Sequence, residues 1–285
     1  MTDAEVPTFH SHPAQCILHP TDFSPHSDLA FGHALRLAIR NKALLSILHV
    51  GKDTRSEWDR FPGVRQTLQN WGLLDSDARR ADVARIGVGI EKIIAEERDI
   101  AGAIAGYEVK RPVDLLVLAT HGRSGLSAWL RPSVAQQAAR KLEVPTLFVP
   151  GDGRGCVSLE TGDVTMDEVL IPVDHSPSSN SAIERGLRAI EAFGHDKSRL
   201  TLLHIGSESQ FPDVKVPDGP WHVTRVVRQG NPATEILDAA EETSVNLIIM
   251  VTEGTHGYLD ALRGTTSENV LRQAPCPVLT VPASF

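Results

Sequence analysis

Cysteine is scarce: three residues in 285, Cys16, Cys156 and Cys276, lie far apart with no Cys-x-x-Cys spacing. So small and scattered a set excludes a disulfide framework and a structural zinc site, and fits a reduced, cytoplasmic setting. No apolar run approaches the roughly 20 residues that a membrane helix needs. The amino-terminal stretch MTDAEVPTFHSHPAQ has no basic region followed by an apolar one, so no secretory signal is expected. Runs of Lys or Arg are missing too, and the formal net charge is -8. Binding to a phosphate backbone usually leaves a basic face, so nucleic acid is not an expected partner. What remains is an ordinary soluble composition, 41% hydrophobic and 22% charged, on a chain long enough for about two domains.

The chain is written twice. ILHPTDFSPHSDLAFGHALRLA (17–38) matches VLIPVDHSPSSNSAIERGLRAI (169–190), with Asp22 opposite Asp174, Ser24 opposite Ser176 and Ala30 opposite Ala182 at a constant offset of 152. LLSILHV (44–50) matches LTLLHI (200–205), with His49 opposite His204. DLLVLATHG (114–122) matches NLIIMVTEG (246–254), and LEVPTLFVP (142–150) matches APCPVLTVP (274–282), both at an offset of 132. Four matches in the same order establish an internal duplication.

Each copy opens with a short apolar run bounded by Asp-x-Ser-Pro. This predicts a buried strand feeding a helix, with Ser24 or Ser176 as the cap and Pro25 or Pro177 at the first helical position. Apolar strands without alternation, separated by helices, predict a parallel sheet covered on both faces and hence two doubly wound α/β domains. Their expected limits are 14–151 and 165–283, joined by GDGRGCVSLETGD (151–163), which is glycine-rich, polar and linker-like.

In open parallel sheets, ligands bind outside the carboxyl ends of the strands, where the strand order reverses. Three segments of each copy meet there: the Asp after strand one (Asp22, Asp174), the end of strand two (Val50, Ile205), and the loop and helix start after strand four. In the second copy that loop runs from Gly254 to Gly264-Thr265-Thr266. Glycines allow close backbone approach, hydroxyls can donate to phosphate oxygens, and a helix start offers free amides. The spacing serves equally for a helix C-cap at Gly264 and an N-cap at Thr265 or Thr266. In the first copy Pro132 stands where the second has Gly264. Proline lacks a donor and fixes φ, although it is also a good first residue for a helix over SVAQQAARK.

A duplicated unit with Asp-x-Ser-Pro after strand one, strand two ending ILHV or LLHI, THGRSGL, and a terminal APCPVLTV resembles the universal stress protein family in a tandem form. The resemblance covers nearly all of residues 15–282. It implies an adenine-nucleotide-hydrolase-like fold: five parallel strands in the order 3-2-1-4-5 per domain, and two domains paired through their last strands as an intramolecular pseudo-dimer. It also implies ATP or ADP binding through a G-x2-G-x9-G-[S/T] motif, with Mg as a candidate accompanying ion. In the second copy that motif falls on Val251, Gly254, Gly264 and Thr265, with Asp174 as the acidic residue, so only its first glycine is replaced. Pro172, Val173, Ile205 and Thr266 complete the expected nucleotide-binding set. In the first copy it falls on Ala119, Gly122, Pro132 and Ser133, two glycines short, and leaves a weaker set of Thr21, Asp22, Val50, Gly122, Ser133 and Val134. The expectation is therefore a stress-response regulatory protein whose better nucleotide site is in the second domain. The alternative is a scaffold or a binder of another ligand, as the replacements Val251, Ala119 and Pro132 and the loop carboxylate Glu253 suggest.

Related folds that transfer adenylyl groups carry HxGH or SGGxDS signatures, and neither occurs here. No catalytic set is assigned, and slow ATP hydrolysis is the most that is expected. A homodimer of the tandem chain and an unidentified protein partner stay open. Asp22 and Asp174 can equally hold the turn that starts helix one. His49 and His204 read as satisfied histidines at strand ends. His10, His12, His19, His26 and His33 are dense but lack the acidic ligands of a metal site, so no metal is expected. Cys276 reads as a small buried residue opening the last strand, and Trp58, Trp71, Trp129 and Trp221 as packing residues.

Overall fold

The computed structural model describes residues 15–51, 58, 61–96, 100–120, 144–176, 180–194, 197–252 and 265–283. The strands are β1 (Cys16–Thr21), β2 (Leu44–Val50), β3 (Gly89–Ala95), β4 (Leu115–Ala119) and β5 (Thr146–Val149), then β6 (Glu168–Pro172), β7 (Arg199–Ile205), β8 (His222–Arg228), β9 (Leu247–Thr252) and β10 (Val278–Pro282). The described helices are α1 (Pro25–Asn41), α2 (Val64–Asn70), α3 (Arg80–Val83), α4 (Ile100–Lys110), α5 (Asn180–Phe193), α6 (Pro232–Glu242) and α7 (Thr265–Gln273).

All ten strands form one sheet in the order β3-β2-β1-β4-β5-β10-β9-β6-β7-β8. Each half is parallel internally, in the expected order 3-2-1-4-5. The halves meet antiparallel, with Leu279 opposite Leu147 and Thr280 opposite Thr146. This pairing covers the edges of β5 and β10 and leaves β3 and β8 as the outer edges.

The apolar strands alternate between two buried faces. Ile17, Ile47, Val117, Leu147, Ile171, Leu202, Ile249 and Leu279 face α1 and α5. Leu18, Leu48, Leu118, Phe148, Leu170, Leu203, Ile248 and Val278 face α4, α6 and α7. Each cluster runs through both halves, so the two copies share their cores. Burying one such Leu or Ile contributes about 1.5–3 kcal/mol.

Helix α1 starts as its sequence dictates. Ser24 is the N-cap, its Oγ accepting from the amide of Ser27 at 3.2 Å, and Pro25 follows in the first turn. The matching Pro177 lies outside the described residues.

The segment between the halves is not the loose linker that its glycines and polar residues suggest. Cys156, Val157 and Met166 are buried. The fully buried ring of His33 on α1 donates from Nδ1 to the Leu29 carbonyl at 2.8 Å, and its Nε2 accepts from the amides of Cys156 and Val157 at 3.0 and 3.2 Å. Trp71 donates from Nε1 to Leu159 O at 2.9 Å, and a Cβ on Gly162 would lie 2.5 Å from its ring. On the other side, the Arg154 amide donates to Pro275 O at 2.7 Å and its guanidinium reaches Glu241 at 3.3 Å. The segment is thus a clasp held by groups of both halves, because it carries its own apolar residues and its amides find a buried acceptor.

Candidate functional site

In each half the chain leaves the first strand in opposite directions to its neighbours, so the reversal of strand order falls between β1 and β4 and between β6 and β9. The carboxyl ends of these strands form the two candidate clefts.

In the second half, Pro172 ends β6 and the buried Val173 follows it, its amide donating to Leu203 O at 2.8 Å. Asp174 is exposed and its Oδ1 accepts from the His175 amide at 2.7 Å. Ile205 ends the neighbouring β7. Helix α7 begins at Thr265, with Thr266 next in its first turn, after the chain has left β9. The topology thus brings Pro172, Val173, Asp174 and Ile205 to one edge of the sheet. Gly254 and Gly264 lie outside the described residues.

In the first half, Thr21 ends β1 and Val50 ends β2. Thr21 Oγ1 accepts from the Phe23 amide at 3.1 Å and from Ser27 Oγ at 2.8 Å. Asp22 Oδ1 accepts from the Ser24 amide at 3.0 Å, the turn contact that a structural role requires, whereas the contact of Asp174 is to the amide of the next residue, His175. Gly122, Pro132, Ser133 and Val134 lie outside the described residues.

The strand-end histidines brace both clefts in the same way. His49 Nδ1 lies 2.8 Å from Thr21 O, and His204 Nδ1 lies 3.2 Å from Val173 O. Thr21 and Val173 are equivalent at the offset of 152. The expectation of a satisfied histidine holds at Nδ1 in each. It fails at the Nε2 of His204, which is buried with no hydrogen-bond partner among the described residues.

What stands beside these histidines differs. Phe23 stacks on His49 at 4.3 Å and leads an aromatic cluster with Trp58 at 4.9 Å and Phe61 at 5.7 Å. In the second half the place of Phe23 is taken by His175, which meets His204 edge-on at 6.4 Å, with Phe211 at 5.8 Å from His204. His175 Nε2 lies 2.9 Å from Gln210 O. A cation covers the aromatic in both halves: Lys92 Nζ lies 4.5 Å above Trp58, and Arg225 lies 5.2 Å from Phe211. Lys92 and Arg225 pair with Ile47 and Leu202, which are themselves equivalent, so this feature is duplicated as well. The sequence matches missed it because β3 and β8 share few identities. The only signal was one basic residue at the same place in each third strand.

The histidine-rich amino-terminal part divides. His10 and His12 lie outside the described residues. Burial holds His19 and His33 well below the usual range, at about 4, although each has a carbonyl partner, Val117 O or Leu29 O. Among the described residues no group of three or more His, Cys, Asp or Glu could hold a metal ion. The three thiols are free and buried, and burial pushes that of Cys276, just ahead of β10, up to about 12. Trp71 packs as expected, Trp221 donates to Pro217 O at 3.1 Å, and Trp129 lies outside the described residues.

Fold and clefts together define a tandem doubly wound α/β protein, two copies of one unit joined through their last strands. The model of the universal stress protein family matches residues 14–150 and 218–282, and the chain belongs to that family. Universal stress protein Rv2005c of Mycobacterium tuberculosis is 23% identical over 294 residues, covering 90% of this chain and 94% of its own. Universal stress protein MJ0531 of Methanocaldococcus jannaschii is 43% identical over 146 residues, covering 43% of this chain and 86% of its own. The crystal structure of a universal stress protein from Archaeoglobus fulgidus shares the fold, with a TM-score of 0.57 at 19% identity over 95% of this chain and 97% of that one. Among the described residues, no helix is long and apolar enough to cross a membrane.

Proposed function

We propose that this protein is a stress-response regulator that binds ATP or ADP in its second half, with the first half serving mainly as a structural partner. Its functional units in this reading are residues 14–151 and 165–283. The observation that carries the asymmetry is the aromatic cluster of Phe23, Trp58 and Phe61 beside His49, set against His175 and Phe211 beside His204 in the second half. In this reading the base end falls on Asp174 and Ile205, which lie at the carboxyl ends of neighbouring strands. The phosphate end falls on Gly254 and Gly264, where the second copy keeps two glycines of the motif and the first has Pro132. Bound Mg-ATP would supply phosphate charge for the amides at the start of α7. The reading includes a reducing cytoplasmic setting, supported by three unpaired thiols. It includes no dedicated catalytic residue.

The test is calorimetric titration of the nucleotide-free full chain with Mg-ATP. The expected result is one site per chain, lost in Gly264→Pro. No heat at high micromolar ATP would move the assignment to a scaffold or another ligand. Two equal sites would mean that the aromatic cluster and Pro132 do not close the first cleft.

A further inference from the structure

The clasp between the halves is a hairpin with bonds of its own. Val157 pairs antiparallel with Val164, and the amides of Thr165 and Ser158 donate to Cys156 O and Asp163 O, both at 2.9 Å. A segment closed by local bonds can open as one unit while the sheet stays intact. Its amides at Cys156 and Val157 both depend on one side-chain atom, Nε2 of the fully buried His33. Nδ1 of that ring faces the Leu29 carbonyl, which can only accept, so Nδ1 carries the proton and Nε2 is the acceptor. The ring is tightly packed, since a Cβ on Gly155 would lie 3.0 Å from its Cε1. A second proton, on Nε2, would point at two N–H donors and leave both amides and the new charge buried without acceptors. The closed clasp therefore refuses that proton. With the clasp open and the ring in water, His33 takes it at the ordinary value near 6.5.

All bonds of the ring are to backbone, and burial and the Leu29 bond alone set its basicity. From the clasp, the Cys156 thiol stays protonated through burial, and Arg154 is held by Glu241. From β1, His19 bonds to Val117 O. From α5, Arg185 bonds to Pro282 O. Asp28 and Arg36 belong to α1 itself. Arg185 occupies the position equivalent to His33 and keeps its charge, so the second half has no titrating counterpart.

We propose that the clasp is an acid-released latch: protonation of His33 frees residues 156–165 while β5 and β10 stay paired and hold the halves together. With His33 at about 4 when closed and near 6.5 when open, the open fraction rises about twentyfold between pH 7 and pH 5.

The experiment is hydrogen exchange on the full chain, wild type and His33→Gln, at those two pH values. Glutamine can donate to Leu29 O and accept from the clasp amides but does not titrate. Comparing the two chains at each pH cancels the intrinsic chemistry of exchange. The wild-type-to-variant ratio over residues 156–165 is expected to rise about twentyfold from pH 7 to pH 5. In the wild type at pH 5 these residues should exchange at least about tenfold faster than β1 and β4, as a local opening requires. Should His33→Gln fail to fold, the wild type alone decides: its clasp exchange, corrected for the intrinsic rate, should show the same rise. A rise no larger than about twofold overturns the role of His33. Equal exchange of the clasp and the central strands at pH 5 overturns the latch, because the proton then unfolds the whole chain.

Discussion

At the carboxyl end of β1, Phe23 lies against the ring of His49; at the same place after β6, His175 meets His204 edge-on. The two residues differ in backbone as well. Phe23 has φ of 56°, in the left-handed region that a bulky residue rarely adopts, whereas His175 is not among the residues with positive φ. Such a conformation costs on the order of 1–3 kcal/mol and persists only where the surroundings hold it. Here the Trp58 and Phe61 rings and the bond to Thr21 Oγ1 do so. A second pair of positions teaches the same lesson. His33 and Arg185 are equivalent, and each holds the chain that leaves a last strand. His33 accepts from the clasp after β5, and Arg185 donates to Pro282 O at the end of β10 at 2.5 Å. One duplicated scaffold thus carries an aromatic cluster and a hold on the clasp in its first half, and a histidine and an arginine at the same places in its second.

The comparison can be broken most severely at Trp71, which has no counterpart in the second half. Trp71→Ala removes a buried ring, its bond to Leu159 and the surface under Gly162. It should cost about 3–5 kcal/mol, read as a lowered midpoint in urea unfolding of the full chain. Acid comes next. Burial depresses His19 and His33 to about 4, below an unfolded value near 6.5. Between those values the unfolded chain takes up protons that the folded chain refuses, so stability falls as pH drops from about 6.5 towards 4. Each histidine should remove about 2 kcal/mol between pH 7 and pH 5. Asp28 opposes this. Burial and then Asp22 raise its carboxyl to about 6, so its penalty is relieved as pH falls through that value. The second half has Ile171 and Arg185 at the two histidine positions. Replacing His33 by Gln should therefore remove about half of the histidine contribution to the pH slope of unfolding.

A smaller effect would make the second cleft resemble the first. His175→Phe should weaken Mg-ATP binding about tenfold, about 1.4 kcal/mol, with little change in the urea midpoint. Unchanged affinity would show that the aromatic cluster is not what separates the halves. The smallest effect is at the clasp's far end. Arg154 and Glu241 are 41% and 66% exposed, so Arg154→Ala should cost less than about 1 kcal/mol, seen as a slight shift in thermal midpoint.

Much of this was legible in the residues. The repeated ILHPTD and VLIPVD runs, the Ser-Pro helix start and the unalternated apolar strands specify buried parallel strands followed by helices, because these depend on neighbours a few residues away. Placing Asp174 and Ile205 at one edge needed only the rule for carboxyl ends. Less was legible at the clasp, whose glycines and charges hide Cys156, Val157 and the acceptor His33, more than 120 residues earlier.

The sequence by itself determined the duplication, the order of strands and helices within each copy, and which half kept the glycines of the loop. The tertiary structure alone decided the aromatic cluster beside His49, the clasp's hold on both halves and the bonds of His49 and His204 to the ends of the neighbouring first strands. Each of these depends on side chains distant in sequence meeting at a particular angle and distance. Local periodicity records which face of an element is apolar, but it carries no record of which ring, amide or carbonyl will be opposite.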